Sequence, residues 1–368
     1  MNQHKKIKTG LIFSLDYEIH GNGNGEFENW AYFPTRHMLD IFDEYGAKLT
    51  IMAEMGHYWA MKAHKDLFEK EIKLFEEQIK DAVERGHDVQ LHFHPQWIDA
   101  KYIDGTWDLE FSKRKIAWLC NNYDEAMIYL MKGKSDLESI LTPIRSSYRC
   151  NCFRSGFLQM QPSGPIIKAL IDSGFLSDSS VVKGIKVDDN LRSLDYSDAY
   201  SYFKPWRTSD QEICKMDENG KLMEFPILGH RTGFFDKINN KQKKLRGITN
   251  IRDLISLFMS GYGKGMPTNQ RTSAFNWLTS KLQSEWSYVD FCLSDSDFLI
   301  NQIRKIISKS SKQSELSYLP IVLIGHSKDF FFANNLSRFF QYCQSIDSLE
   351  FTTYSDAAIK TQAAFDSN

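Results

Sequence analysis

Residues 8–21, KTGLIFSLDYEIHG, run apolar through Leu11, Ile12 and Phe13, then turn polar at Asp16 and Glu18 before the Gly/Asn-rich stretch GNGNGEFEN. A short apolar run bounded by turn residues predicts a buried strand. Over residues 35–46 the period lengthens. Met38, Leu39, Ile41, Phe42 and Tyr45 recur at helical spacing, and Gly46 supplies the stop. AKLTIMAE (47–54) predicts a second strand, 62–85 a long charged amphipathic helix ended by Gly86, and HDVQLHFH a third strand. Strands alternating with helices predict a parallel α/β architecture. Functional groups in such folds gather where strands end, and Asp16, Glu18, Glu54, His92 and His94 all stand at predicted strand ends.

The pattern continues less cleanly. A helix is predicted around 112–132, a strand ending in a loop over 146–156, a helix over 164–175, and a strand and turn in LSDSSVVKG. From 184 to about 246 the chain is richer in Asp, Ser, Tyr and Trp. There EICKMDENGKLMEFPI predicts a β-hairpin turning at Glu218, Asn219 and Gly220, read as an inserted flap on the substrate side. Residues 247–312 are again helical in pattern, with an exposed end in SKSSKQSELS. LPIVLIGHSKDF (319–330) is the last strong strand, NNLSRFFQYCQSI its helix, and LEFTTYSDAA (349–358) closes the set. With no internal repeat and no linker, residues 1–368 are expected to form a single domain.

Composition narrows the function classes. A formal net charge of −2 gives no reason to expect nucleic acid. KQKKLR (241–246) reads as a solvated loop or helix start. Aromatics make up 14% of the chain, which suits walls that stack on sugar rings. The apolar part of the N-terminus is too short for a signal sequence, and no run approaches the roughly 18 apolar residues of a membrane span. A cytoplasmic protein without a membrane span is expected. Its six cysteines are then expected to be free thiols, and the Cys150-x-Cys152 pair lacks a second pair nearby to complete a metal site.

Candidate chemistry concentrates in a few stretches. GHDVQLHFHPQW (86–97) holds three of the ten histidines. On a strand, His92 and His94 face one way while Leu91 and Phe93 pack on the other side. Two converging neutral imidazoles make half of a metal site. Asp16 and Glu18 also share one strand face, an arrangement that is costly without a cation or a shared proton. Arg154 in CFRSG reads, taken singly, as a surface arginine pairing with an acid, and His326 in VLIGHSK as an imidazole at the end of a buried strand.

Together these residues resemble the polysaccharide deacetylase (NodB-homology) superfamily, and most nearly its cytoplasmic branch associated with surface-polysaccharide and lipopolysaccharide biosynthesis. FSLDYEIHG resembles the first motif, GHDVQLHFHPQW the metal-binding histidine motif, and FRSG with IIKALIDSGFLSDSSVVKG the third. LIGHSK occupies the place of the last. The likeness spans about 8 to 358. Two departures stand out. Tyr17 occupies the place of the family's second consecutive aspartate, with acid returning at Glu18, and His92 and His94 are separated by one residue where the family has three.

The resemblance implies a single distorted (β/α)7-type barrel and a metal-dependent hydrolase. Such an enzyme removes an N-acyl group, most simply N-acetyl, from an amino sugar on a nucleotide- or lipid-linked precursor or a glycan. It implies a divalent metal, Zn2+ for choice, that activates water and polarises the amide. Glu18, His92 and His94 are the expected ligands, with Asp16 ligating instead if Glu18 points away. Asp16 is the expected base, Arg154 holds it ionised, and protonated His326 gives its proton to the departing amine. Trp97, Tyr148 and Trp206 are candidates for sugar stacking. Three other readings stay open: a metal-independent amide hydrolase of the allantoinase or imidase kind, a glycosidase using Asp16 and Glu18, and a catalytically silent carbohydrate-binding protein.

Overall fold

Nine strands join in one curled sheet in the computed structural model, which describes residues 7–232, 285–313, 317–330 and 333–366. In chain order they are β1 (Lys8–Tyr17), β2 (Leu49–Glu54), β3 (Asp88–Phe93), β4 (Cys152–Ser155), β5 (Ser177–Asp178), β6 (Trp206–Arg207), β7 (Met223–Glu224), β8 (Tyr318–His326) and β9 (Leu349–Thr352). Across the sheet the order is β6-β7-β5-β4-β3-β2-β1-β8, and β9 also pairs with β1. Every pair is parallel except β6 with β7. The curl brings residues 227–228 to β8, where Leu228 N donates to Val322 O at 2.8 Å.

Helices pack on the sheet: α1 (Phe33–Glu44), α2 (Met55–Ala63), α3 (Lys65–Glu84), α4 (Tyr123–Leu141), α5 (Gly164–Asp172), α6 (Ser296–Gln313), α7 (Ala333–Gln344) and α8 (Tyr354–Asp366). They cover the parallel strands, so β2 and β3 are buried at every position. β2 reads as a nearly continuous apolar run ending in Glu54, whereas β3 alternates Val89, Leu91 and Phe93 with the polar Asp88, Gln90 and His92. Phe13 on β1 shows the packing, with Phe42 of α1 and Phe291 edge-on at 5.0 and 5.3 Å.

Register brings the chemistry together. Asp16 lies opposite His326 across β1 and β8. Glu54 lies opposite His92 across β2 and β3, and His92 opposite Arg154 across β3 and β4. All of these stand at the C-terminal ends of parallel strands.

The stretch expected as a flap folds differently over its described part. The predicted turn is present, with Gly220 N donating to Asp217 O. However, β7 pairs with β6 and β5, not with the residues just before the turn, where Thr208 and Met216 make an isolated bridge. Leu222, Met223 and Phe225 are apolar and fully buried, which a sheet position satisfies and an exposed flap does not. Outside the main sheet, Lys186–Asp188 pairs with Ser193–Asp195, and Gly229–Thr232 with Glu285–Tyr288. Residues 233–246, including the KQKKLR run, lie outside the described residues, as does much of the helical stretch expected over 247–312. All six cysteines are buried and free. Among the described residues no helix is long and apolar enough to cross a membrane.

Candidate metal and catalytic centre

The alternation of β3 turns the ring of His92 inward, and His94 follows just beyond the strand end. His92 Nδ1 sits 2.9 Å from the Arg154 carbonyl. Donation there leaves the Nε2 lone pair facing the acids, the arrangement that a carbonyl accepting from the far ring nitrogen imposes on metal-binding imidazoles. The His94 ring lies across the Gly156 backbone, where a Cβ would come within 2.5 Å of it. Glycine is required by that close approach.

Two carboxylates meet these rings. His94 Nε2 is 3.0 Å from both His92 Nε2 and Glu18 Oε2, and His92 Nε2 is 3.6 Å from Glu18 Oε2. Glu54 caps α2 through Oε1, which accepts from Gly56 N at 2.7 Å. Its Oε2 is buried without a hydrogen-bond partner, 3.8 Å from His94 Nε2 and 4.0 Å from His92 Nε2. Donor atoms of Glu18, Glu54, His92 and His94 all lie within 4.8 Å of one another. Two imidazoles and two carboxylates, with an orphaned acid oxygen among them, fit a divalent ion such as zinc.

A second layer stands beside this cluster. Arg154 is fully buried, and its Nη1 donates to Asp16 Oδ1 at 2.6 Å. The rest of its fork is used elsewhere, Nη2 on Ser14 Oγ at 2.8 Å and Nε on Ser179 O at 2.8 Å. Arg154 thus sets one prong on Asp16 and two anchors on Ser14 and Ser179. Asp16 Oδ2 lies 3.9 Å from His92 Nε2 and 3.7 Å from His326 Nε2, between the cluster and the second histidine. His326 Nδ1 is in turn 3.0 Å from Asp290 Oδ2. Lys328 Nζ donates to Glu18 Oε1 at 2.5 Å.

The electrostatics follow from these contacts. Burial would raise the Asp16 carboxyl, but Arg154, then His92 and His326, hold it below its usual value. Burial would likewise raise Glu18, and Lys328 and His94 hold it well below the carboxylate range. Glu54 is pushed up by burial, against the pull of the two histidines. Burial opposes charge on His92, yet Asp16, Glu18 and Glu54 raise it to about 9. The carboxylates therefore demand positive charge at this point, which a proton or a divalent cation can meet. His326 is raised as well, burial being outweighed by Asp290 and then Asp16.

Glu18, His92 and His94, the three residues named above for a metal, lie together with Glu54, while Asp16 lies at the edge of the cluster in the grip of Arg154. Glu54, Asp290 and Lys328 join the site without having been singled out for these roles. Glu54 was visible as the acid ending a predicted strand, and Lys328 lies two residues beyond His326. Asp290 carried no signal, being brought in by an isolated bridge to Ile324. Tyr148 and Trp206 are core residues whose polar atoms are spent on Val89 O and Ile213 O, leaving no ring face for a sugar. Trp97 is 5% exposed and packs at a tilt against His57, with ring centroids 4.5 Å apart.

No protein-family model matches the chain, and no curated protein does. Among solved structures it is similar to a Mycobacterium smegmatis protein named as a polysaccharide deacetylase, at 14% identity over 97% of this chain and 91% of that one, TM-score 0.48. It is similar also to Puue allantoinase, at 14% identity over 99% and 92% of the two chains, TM-score 0.44. For the 4-alpha-glucanotransferase of Thermococcus litoralis the identity is 12%, over 96% of this chain and 40% of that one, TM-score 0.48.

Proposed function

We propose that this chain is a divalent-metal-dependent amide hydrolase of the polysaccharide deacetylase superfamily, with a distorted (β/α)7-type barrel. It removes an N-acyl group, N-acetyl in the simplest case, from an amino sugar of a surface-glycan precursor or glycan in the cytoplasm. The observation that carries this reading is the position of Asp16 Oδ2, between the Glu18/Glu54/His92/His94 cluster and His326. A proton acceptor and a proton donor then flank one reacting point beside a cation site.

Glu18, Glu54, His92 and His94 would hold the metal, zinc being the first choice for this donor set. When bound, the ion supplies Lewis-acid activation of water and of the amide carbonyl. Arg154 keeps Asp16 ionised, so that Asp16 accepts the proton of the attacking water. Asp290 keeps His326 protonated, so that His326 delivers a proton to the nitrogen as the C–N bond breaks. An amine anion is too poor a leaving group to depart without it. Lys328 fixes Glu18 through Oε1 and leaves Oε2 toward the imidazoles.

The deciding experiment is elemental analysis of protein purified without chelators, joined to assays of acetate release from N-acetylated amino sugars before and after metal removal. Metal-dependent acetate release is expected. Release that survives complete metal removal would favour the allantoinase-like reading. Reducing sugar without acetate would favour the glycosidase, and binding without turnover under any metal the silent protein.

A further inference from the structure

Beside the centre lies a cleft of about 470 Å³ that none of the roles above uses. Its walls include Leu158, Lys186, Arg192, Tyr196, Trp286 and Tyr288, and no carboxylate lines it among the described residues. It adjoins the centre on two sides. The Tyr288 ring stands 6.3 Å from that of His326, and Phe157, the neighbour of Leu158, packs 4.8 Å from the His94 ring.

The wall between cleft and centre is strained. Phe157 and Leu158 have φ of 55° and 58°, left-handed values that cost free energy at residues other than glycine and that recur at functional sites. Cleft residues hold this turn in place. Tyr196 Oη donates to Leu158 O at 2.5 Å, and Arg192 Nη1 donates to Phe157 O at 3.2 Å. The indole of Trp286 is seated by glycine, since a Cβ on Gly184 would fall 2.1 Å from it. Lys186 is neutralised by Asp195 at 2.6 Å, whereas Arg192 meets a carboxylate, that of Asp189, only at 4.0 Å.

We infer that this cleft is a second sugar subsite, for a pyranose bearing an oxyanion next to the reacting acylamino sugar, with Trp286 as its stacking surface and Arg192 as its anion contact. The inference deepens the proposed function and rests on it for the identity of the neighbouring sugar. The oxyanion is a uronate carboxylate or a phosphate, since a guanidinium recognises both.

Binding separates the subsite from the chemistry. The metal-free full chain is titrated calorimetrically with an N-acetylglucosamine–glucuronic acid disaccharide, with an N-acetylglucosamine–glucose 6-phosphate disaccharide, and with neutral diacetylchitobiose. At low salt at least one anionic probe is expected to bind about 10- to 100-fold tighter than the neutral one, and which one does so identifies the source of the oxyanion. The preference should collapse near 1 M salt, where the screening length falls to about 3 Å, an arm that needs no substitution. It should collapse also in Arg192→Gln, while Trp286→Ala weakens all three probes about tenfold. Equal affinities at low salt, or a preference untouched by Arg192→Gln, overturn the subsite. If the preference holds but the metal-loaded protein releases no acetate, the hydrolase reading fails and the subsite stands. Acetate release without any anion preference removes the subsite alone.

Discussion

One strand, β3, buries polar side chains at both ends and treats them in opposite ways. At its start, every oxygen of Asp88 is satisfied. Oδ1 accepts from Val89 N and Gln90 Nε2 at 2.9 and 3.0 Å, and Oδ2 from the N–H and hydroxyl of Ser355 at 3.0 and 2.9 Å. Gln90 Oε1 accepts from the N–H groups of Asn151 and Cys152 at 2.9 and 2.8 Å. At the other end, His92 and His94 face three carboxylates, and Glu54 Oε2 has no hydrogen-bond partner. A buried network closed by neutral donors fastens elements together. One whose members are mostly other charges is poised for a cation. Burial and polarity are alike at the two ends, so what distinguishes them is who satisfies whom.

Substitutions should separate the two ends, most strongly at the open one. His92→Ala and His94→Ala are expected to fold, lose bound divalent metal and drop amide hydrolysis to background, as read by elemental analysis, circular dichroism and acetate release. Full metal stoichiometry in both would remove the site. Next in size, His326→Ala should cost about 10²–10⁴-fold in turnover with metal content kept. Because His326 must be protonated and Asp290 raises it above the ordinary 6.5, activity should fall on the alkaline side above that value. Asp290→Asn should move this limb to lower pH, and a limb that stays put would mean another group sets it.

Arg154→Lys should lie within about tenfold of Arg154→Ala, since one ammonium cannot reach Asp16, Ser14 and Ser179 together. Near-normal activity in the lysine variant would show that charge alone matters. The smallest effect is expected at the closed end, and in stability. Asp88→Ala strands donors of Gln90, Ser355 and Val89 and should cost about 1–3 kcal/mol, read as a lower denaturation midpoint at unchanged m-value. Turnover per folded molecule should be untouched. A fall in activity without a fall in stability would break the contrast between the two ends.

The strands that hold the site were legible because parallel strands covered on both faces leave mostly apolar runs, as in LIFSL, KLTIMAE and PIVLIGH. The His92/His94 alternation was legible for the same reason that it works, since a strand's period of two aims both rings. Glu54 could not be assigned, because an acid between a strand and a helix also suits an N-cap, and this one does cap α2 with its other oxygen. Strands of two residues, such as β6 and β7, are too short to show any period, so their recruitment into the sheet depends on partners distant in sequence. Asp290 was hidden likewise, since its place is set by contact with β8 and not by its neighbours in the chain.

The pairing of β1 with β8 has a consequence for biosynthesis. Asp16 and His326 are neighbours across the sheet, yet some three hundred residues must be made between them. At about 5–20 residues per second, the apolar run of β1 waits roughly 15–60 s for its partner to leave the ribosome. Contacts of such long range form slowly because loop closure precedes their reward. Throughout that interval the nascent chain presents a naked β edge, a natural client for a holdase, and assembly of the reactive centre coincides with the last act of folding.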